Sequence, residues 1–348
     1  MGEIDLSNSS RAKNAAILAL TIAILGMSAN QVAASKAKIF DAPGAQATDP
    51  IAINNAGWIA GGFGDAHGQH GFLRDPEGNI TTFDISDPAC NSTTVTGLNN
   101  DNALVGSAYD DHCLLHGFLR TTDGSVTSFD SPGAANTTPM SINDEGVICG
   151  FYDVVSGADD TTFGFVRAEN GTVTEFSVPN SEDTFAVAIN SSGQLAGWYE
   201  DTDFNTHGFI RSANGKIKTI DVPDALATQP EGINDSGDIS GYYQTNEGNF
   251  GFIRKADGTI ITVDPNGSTS VSVPSINKKG VATGFYDNSG FVRQRNGTLT
   301  PIKVKNGVYV GPGSINAKGA VTGIAQVSGN GQIHGFIYEP SRRKLSGD

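Results

Sequence analysis

The sequence predicts an all-β ring: a seven-bladed β-propeller of four-stranded blades, with the last blade completed by the N-terminal strand. Three observations carry that prediction. A Gly-Phe element recurs at Gly71-Phe72, Gly117-Phe118, Gly164-Phe165, Gly208-Phe209, Gly251-Phe252, Gly290-Phe291 and Gly335-Phe336, so six intervals span 264 residues, 44 apiece. An Ile/Leu-Asn element precedes each, at Ile53-Asn54, Leu98-Asn99, Ile142-Asn143, Ile189-Asn190, Ile233-Asn234, Ile276-Asn277 and Ile315-Asn316. Repeats of this length without helical periodicity describe a propeller or a solenoid. The chain ends decide between the two. The last repeat stops after its third strand, at His334 to Tyr338, while a stray fourth strand, Ile39-Phe40-Asp41-Ala42-Pro43-Gly44-Ala45, stands before the first repeat and matches Phe129-Asp130-Ser131-Pro132-Gly133-Ala134. A closed ring uses that displaced strand to cover a sheet edge, whereas an open solenoid has no use for it.

The repeat from Ile142 to Pro179 shows how each blade is read. The residues before Asn143 form the first strand, and Asn143-Asp144-Glu145-Gly146 turns the chain, the Asn side chain serving local backbone and the Gly taking positive φ. Val147 to Asp153 is the second strand, Phe163 to Arg167 the third and Val173 to Val178 the fourth. Asn170-Gly171 reads as a two-residue hairpin turn. Centring the register on it sets Phe165 opposite Phe176, and likewise Phe72 opposite Phe83, Phe118 opposite Phe129, Phe209 opposite Ile220, Phe252 opposite Val263 and Phe291 opposite Ile302. The Gly before Phe then faces Asp84, Asp130, Asp221 or Asp264. For the split blade the same arithmetic sets Phe336 opposite Phe40, Gly335 opposite Asp41 and Ile337 opposite Ile39.

Three segments are expected: a secretory signal at residues 1–29, the propeller at 36–340 and a disordered tail at 341–348. Arg11 and Lys13 precede an apolar run from Ala15 to Met27 and then small residues, the order of a secretory signal; the run is short for a bilayer span, which makes a retained anchor the lesser alternative. Export to the periplasm or the extracellular space follows, with no membrane span in the mature chain. The net charge of −15 argues against nucleic acid as a partner and favours a soluble monomer. Three cysteines in an oxidising compartment leave at least one unpaired. Cys90 and Cys113 lie in connections that emerge on one face of a blade and are the expected disulfide, with Cys149 a small buried residue in a second strand.

The repeat resembles the HAF-type extracellular repeat family, through its Ile-Asn-x-x-Gly turn, its Gly-rich strand and an element that reads His70-Gly71-Phe72-Leu73, His116-Gly117-Phe118-Leu119, His207-Gly208-Phe209-Ile210 and His334-Gly335-Phe336-Ile337. The resemblance covers residues 36 to 340 and implies the repeat type. That family is defined by recurrence, so no shared reaction comes with it. Phe163, Phe250 and Ser289 replace the His in three copies, which counts against a role needing His in every blade.

Two groups of residues are candidates for chemistry. The ends of the second strands carry Tyr152, Asp153, Tyr199, Glu200, Tyr243, Tyr286 and Asp287, where aromatic faces and acids suit a carbohydrate, although a residue recurring once per blade also suits packing between blades. Asp201, Asp203 and Asn205 alternate like the opening of a calcium loop but lack its later Gly and Glu, so calcium is the one cofactor considered. Neither a phosphate loop, a zinc Cys pair nor a nucleophile elbow is present, and no catalytic residue is assigned. The expected function is an exported binding or scaffold module, for carbohydrate or a cell-surface partner. The alternatives are a secreted carbohydrate-active hydrolase or lyase, and a calcium-stabilised structural surface protein. A cluster of unlike polar residues at one mouth of the axis would favour the enzyme, and a uniform ring would favour binding.

Overall fold

The computed structural model describes residues 37–340 apart from 86–89, 91, 157–158 and 330; the expected signal segment and C-terminal tail lie outside the described residues. These residues are all-β, in antiparallel four-stranded units. In the unit read above, the first strand Asn136–Ile142 pairs with the second, Ile148–Ser156, which pairs with Asp159–Arg167, which pairs with Val173–Phe176. Among the described residues no helix is long and apolar enough to cross a membrane.

The first strands are Ala47–Ile53, Thr93–Leu98, Asn136–Ile142, Ser181–Ile189, Ala227–Ile233, Val271–Ile276 and Gly307–Ile315. Each lies against the first strand of the following repeat, and Gly307–Ile315 lies against Ala47–Ile53. They therefore form the inner circle of the molecule. Every one of them carries a bulge, for example between Pro50 and Ala52, between Pro139 and Ser141 and between Pro230 and Gly232. Such an extra residue bends a strand and leaves itself unpaired.

The hairpin register differs from the sequence expectation by one residue. Gly164, and not Phe165, lies opposite Phe176; Gly71 pairs with Phe83, Gly117 with Phe129 and Gly251 with Val263. Phe209 faces Thr219 and Phe291 faces Pro301, the same shift. The cause is the turn. Ala168 N–H donates to the Thr172 carbonyl and Gly171 N–H to the Ala168 carbonyl, so the loop holds three residues, and in the Asn170-Gly171 pair Gly171 alone takes positive φ, 88°. That is a type I turn closed by a left-handed Gly, not the two-residue primed turn.

The shift changes what the glycine is for. A Cβ on Gly71 would run into the Phe83 ring, and one on Gly117 would stand 3.1 Å from the Phe129 ring, so there the missing side chain makes room for an aromatic rather than for Asp84 or Asp130. The following Phe points the other way: Phe72, Phe118, Phe165, Phe209, Phe252, Phe291 and Phe336 are the largest fully buried side chains. Burying one stabilises by roughly 1.5–3 kcal/mol.

The N-terminal strand Lys38–Phe40 pairs with the last strand, Ile333–Tyr338, with the same one-residue correction: Phe40 faces Gly335, Ile39 faces Phe336 and Lys38 faces Ile337. Neighbouring repeats are keyed by the Arg that ends the third strand. Arg74, Arg120, Arg167 and Arg211 sit 4.7–4.9 Å over the rings of Phe40, Phe83, Phe129 and Phe176, each on the strand that ends the preceding unit. A cation over an aromatic face contributes about 0.5–2 kcal/mol, more when dehydrated.

Candidate functional site

At one end of the inner strands seven asparagines form a hydrogen-bonded cycle. In each, Oδ1 accepts backbone N–H groups of its own turn, as Asn54 does from Ala56, Gly57 and Trp58 at 3.0–3.1 Å. Nδ2 donates to the backbone carbonyl of the next repeat's Asn. The bonds run from Asn54 to Asn99, Asn143, Asn190, Asn234, Asn277 and Asn316, and from Asn316 back to Asn54, at 2.8–3.2 Å. Sequence reasoning gave the Asn its local turn role and missed this second one, because the partner sits a whole repeat away. The asparagines line a shallow cavity of about 210 Å³ whose rim adds Asn55, Asn100, Asp144, Ser191, Asp235 and Lys278. Asp144 accepts from Asn100 and Asp235 from Ser191, so the acids of the rim are already engaged.

The residues expected to bind sugar lie at the opposite end of the second strands, and there each engages its own repeat. Tyr152 is buried and stacks on Phe163 at 5.5 Å; burial, with the Glu175 charge beside it, pushes its hydroxyl up to about 12. Tyr199 stacks on His207 at 5.1 Å and shares a 3.1 Å hydrogen bond with Thr219 Oγ1. Tyr243 stacks on Phe250, and Tyr286 tilts against Phe291. The tyrosines thus cover the third strand of their own unit, where the sequence alternative was packing between blades. Asp153 accepts from Thr162 Oγ1 at 3.2 Å and Asp287 from Ser268 Oγ at 3.1 Å, while Glu200 stays half-buried.

The loop considered for calcium is organised by its first acid. Asp201 Oδ1 accepts the N–H groups of Asp203 and Asn205 at 2.9 Å, and Oδ2 lies 3.2 Å from His207 Nε2. Those bonds, led by the one from the Asn205 backbone, hold its carboxyl far below the usual range. Asp203 and Asn205 are exposed. A different trio, Asp110, Asp111 and His112, brings donor atoms within 4.8 Å of one another. The disulfide joins Cys90 to Cys113, and Cys149 is free and buried.

The recurring histidines have carboxylate partners that the register error concealed. Each Nδ1 meets the acid of its own hairpin: His70 meets Asp84 at 2.6 Å, His116 meets Asp130 at 2.8 Å, His207 meets Asp221 at 2.8 Å and His334 meets Asp41 at 2.9 Å. In the first three, Nε2 also reaches the acid that opens the preceding loop, Asp65, Asp110 or Asp201, at 3.0–3.2 Å. Burial works against the charged imidazolium in His70, His116 and His207, but the paired carboxylates outweigh it and each pKa is raised. His334 lacks the second acid, since Ser328 stands in that place, and its buried Nε2 has no hydrogen-bond partner among the described residues.

The repeats diverge most between the two ends. One register position pairs a first-strand residue with a second-strand residue in every repeat: Asp49 with Gly62, Thr94 with Ser107, Thr138 with Phe151, Phe185 with Trp198, Gln229 with Tyr242, Ser272 with Phe285 and Gly311 with Ile324. This belt stands roughly 16 Å along the inner strands from the asparagines, five residues at about 3.3 Å each. Phe151, Phe185, Trp198, Gln229, Tyr242 and Phe285 are all half-buried. Phe185 and Gln229 lie on first strands, and Phe151, Trp198, Tyr242 and Phe285 on the second strands beside them. Two acids belong here. Asp49 keeps solvent contact, yet burial raises its carboxyl. Glu231, the extra residue of the bulge between Pro230 and Gly232, is pushed up to about 7 by burial.

No protein-family model and no curated protein matches the sequence. Solved structures do. Virginiamycin B lyase from Staphylococcus aureus is 12% identical with a TM-score of 0.57, over 88% of this chain and 99% of that one. The β-propeller domain of the Trilobed protease from Pyrococcus furiosus is 10% identical with a TM-score of 0.57, over 87% and 95%. The acylaminoacyl peptidase of Pyrococcus horikoshii, at 10% identity and a TM-score of 0.58, is matched over 89% of this chain and 52% of its own. The chain has the fold of a β-propeller. At these identities the likeness extends to fold alone.

Proposed function

We propose that the chain is an exported, seven-bladed β-propeller of the HAF repeat type, closed by its N-terminal strand and acting as a binding module for a carbohydrate or a cell-surface partner. The observation that carries the binding reading is the contrast within the axis. The asparagine end is nearly the same in every repeat and spends its side chains on holding the circle together, whereas the belt varies from repeat to repeat and leaves large side chains half open. Recognition is built from unlike residues gathered on a rigid frame. The Cys90–Cys113 disulfide fits an oxidising compartment and therefore export.

Two raised carboxyls, Asp49 and Glu231, on that unlike belt favour a second reading, a secreted carbohydrate-active hydrolase in which one acid donates a proton. A glycan array probed with the mature protein, with and without calcium, separates these readings. Retained, unaltered glycan supports the binding module, shortened glycan supports the hydrolase, and binding lost on chelation adds calcium. No glycan signal under either condition removes carbohydrate as the ligand class.

A further inference from the structure

Three aromatic side chains of the belt are in ring contact, and a fourth, Tyr242, stands at the matching position of the next repeat. Phe151 meets Phe185 of the next repeat edge to face at 5.1 Å, Phe185 stacks on Trp198 at 3.9 Å, and Tyr242 follows one repeat on at the same register position as Trp198. The Tyr242 hydroxyl donates to Gln229 Oε1 and fixes that ring. At the equivalent second-strand position the first two repeats carry Gly62 and Ser107. If the belt served packing alone, repeats this similar would fill it alike. They carry aromatics at four successive second-strand positions, Phe151, Trp198, Tyr242 and Phe285, and Ile324, Gly62 and Ser107 at the other three.

Glu231 stands in the same repeat as Tyr242. The bulge residue is Ile51, Thr96, Met140, Val187 or Gly313 in other repeats, none of them charged. Its Oε2 accepts from Ser272 Oγ at 2.6 Å, and the Val273 backbone N–H also bonds to the carboxylate. No Lys or Arg pairs with it: among the described residues the Lys or Arg ion pair to a carboxylate is Lys255–Asp238, elsewhere. The groups that face it are Gln229 on its own strand, Tyr242 on the second strand, and Ser272 and Val273 on the next repeat. Of these only Tyr242 titrates, and burial together with the Glu231 charge pushes its hydroxyl up, so it stays neutral. A carboxyl left in a partly dehydrated place without a counter-charge is costly unless it is protonated or a cation joins it.

We propose that Phe151, Phe185, Trp198, Tyr242 and the carboxylate of Glu231 form a binding site for a small organic cation, an alkylammonium or quaternary ammonium group. Aromatic faces attract a cation through the ring quadrupole, and the carboxylate supplies the opposite charge. Asp49 on the same belt and the net charge of −15 add an attractive field. A neutral sugar is served less well. One face of Trp198 is already covered by Phe185, the Gln229 oxygen is taken by Tyr242, and Glu231 as a carboxylate only accepts. The inference rests on the binding-module reading but not on carbohydrate as its ligand.

The test is a calorimetric titration of the full chain with choline, beside its neutral carbon isostere 3,3-dimethyl-1-butanol and beside methyl glucoside. Choline is expected to bind at least about tenfold more tightly than the isostere, in line with cation–π recognition plus a counter-charge. Glu231→Gln should remove at least about tenfold of that affinity while the isostere is unaffected. A carboxyl near 7 must be ionised to hold the cation, so choline affinity should fall roughly twentyfold between pH 7.5 and 5.5. Equal binding of choline and isostere, undiminished binding by a folded Glu231→Gln, or binding of methyl glucoside in their place overturns the proposal. If Glu231→Gln fails to fold, the pH profile of the unaltered chain against the isostere decides alone, a flat profile overturning it. A silent glycan array beside choline binding would fail the carbohydrate reading and leave this one standing.

Discussion

The two levels of the axis are built on opposite rules. At the asparagine end the same residue makes the same two kinds of bond in repeat after repeat, within its own turn and to the next repeat, so each asparagine is fixed by its neighbours. In the belt the strands keep the same register, but the side chains range from Gly62 to Trp198. Identical backbone with divergent side chains separates holding the fold from using it. A substitution in the frame should therefore cost stability, and one in the belt should cost recognition.

Removing the frame's outer closure should give the largest effect. Deleting residues 36–45 takes away the strand that covers Ile333–Tyr338, the Phe40 ring that lies over Gly335 and under Arg74, and Asp41, the one carboxylate of His334. A loss of several kcal/mol is expected from the half-buried Phe40 ring, the buried Ala37 and Ala42 and the strand pairing together, with aggregation through the uncovered edge. Denaturant unfolding and light scattering measure both. A truncated chain that melts at the same temperature and stays monomeric would show that this strand closes nothing.

One member of the asparagine cycle comes next. Asn190→Ala removes the bond to the Asn234 carbonyl and four within its own turn: those accepted from the Ser192 and Gln194 N–H groups and the Ser192 hydroxyl, and the one donated to Gln194 Oε1. Leaving the buried Asn234 carbonyl unsatisfied and undoing the partly buried turn bonds should cost about 2–3 kcal/mol. Phe151→Leu in the belt keeps an apolar side chain on a half-buried site and should cost about 1 kcal/mol or less while weakening ligand binding. Reversal of that order, with the belt more damaging to stability than the frame, would erase the distinction drawn here.

The repeat, its turns and the four strands were legible because their signals are local: Asn and Gly at fixed offsets act within three or four residues. The hairpin register was not, since Asn170-Gly171 fits a two-residue turn and a three-residue turn equally well by residue type, and the choice moved every pair by one. That slip hid the His–Asp contacts and assigned Gly71 and Gly117 to the wrong neighbours. The belt was illegible for a different reason. A reading that looks for what repeats discards positions where repeats differ, and Glu231 and Trp198 stand at such positions. Their signal was present as exceptions, an acid and a Trp at strand positions where other copies carry neither.

The histidine brackets give a smaller effect, and its sign follows from the shifts. His70, His116 and His207 have raised pKa values, so the stability they contribute is complete below their ordinary value of about 6.5 and is lost as pH rises through the folded value. Asp65 and Asp110 are lowered to about 2, by hydrogen bonds led by the His67 and Leu114 backbone respectively, so their contribution is complete above about 4 and is lost as pH falls through that lower value. Both are present between about pH 4 and 6.5. The melting temperature should therefore drop from pH 5.5 to pH 8, and replacing all three histidines by Gln should flatten that drop. An equal drop in the triple variant would assign it to other groups. Since these brackets belong to the outer strands, choline affinity at fixed pH should not change.

The smallest expected effect is at the second-strand end, where the sequence placed the sugar site. Tyr199 already lies flat on His207 and shares its hydroxyl with Thr219, so Tyr199→Phe with Glu200→Gln removes one exposed hydrogen bond and one charge and leaves the ring stack intact. About 0.5–1 kcal/mol is the expected loss, the net value of a single such bond. Glycan and choline binding should both be unchanged, because the ligand is assigned to the belt. Loss of glycan binding by a variant that melts normally would move recognition from the axis to this loop-bearing end. It would also mean that an aromatic stacked within its own repeat can still turn outward to a ligand, and the separation of frame from belt would then hold for the inner strands alone.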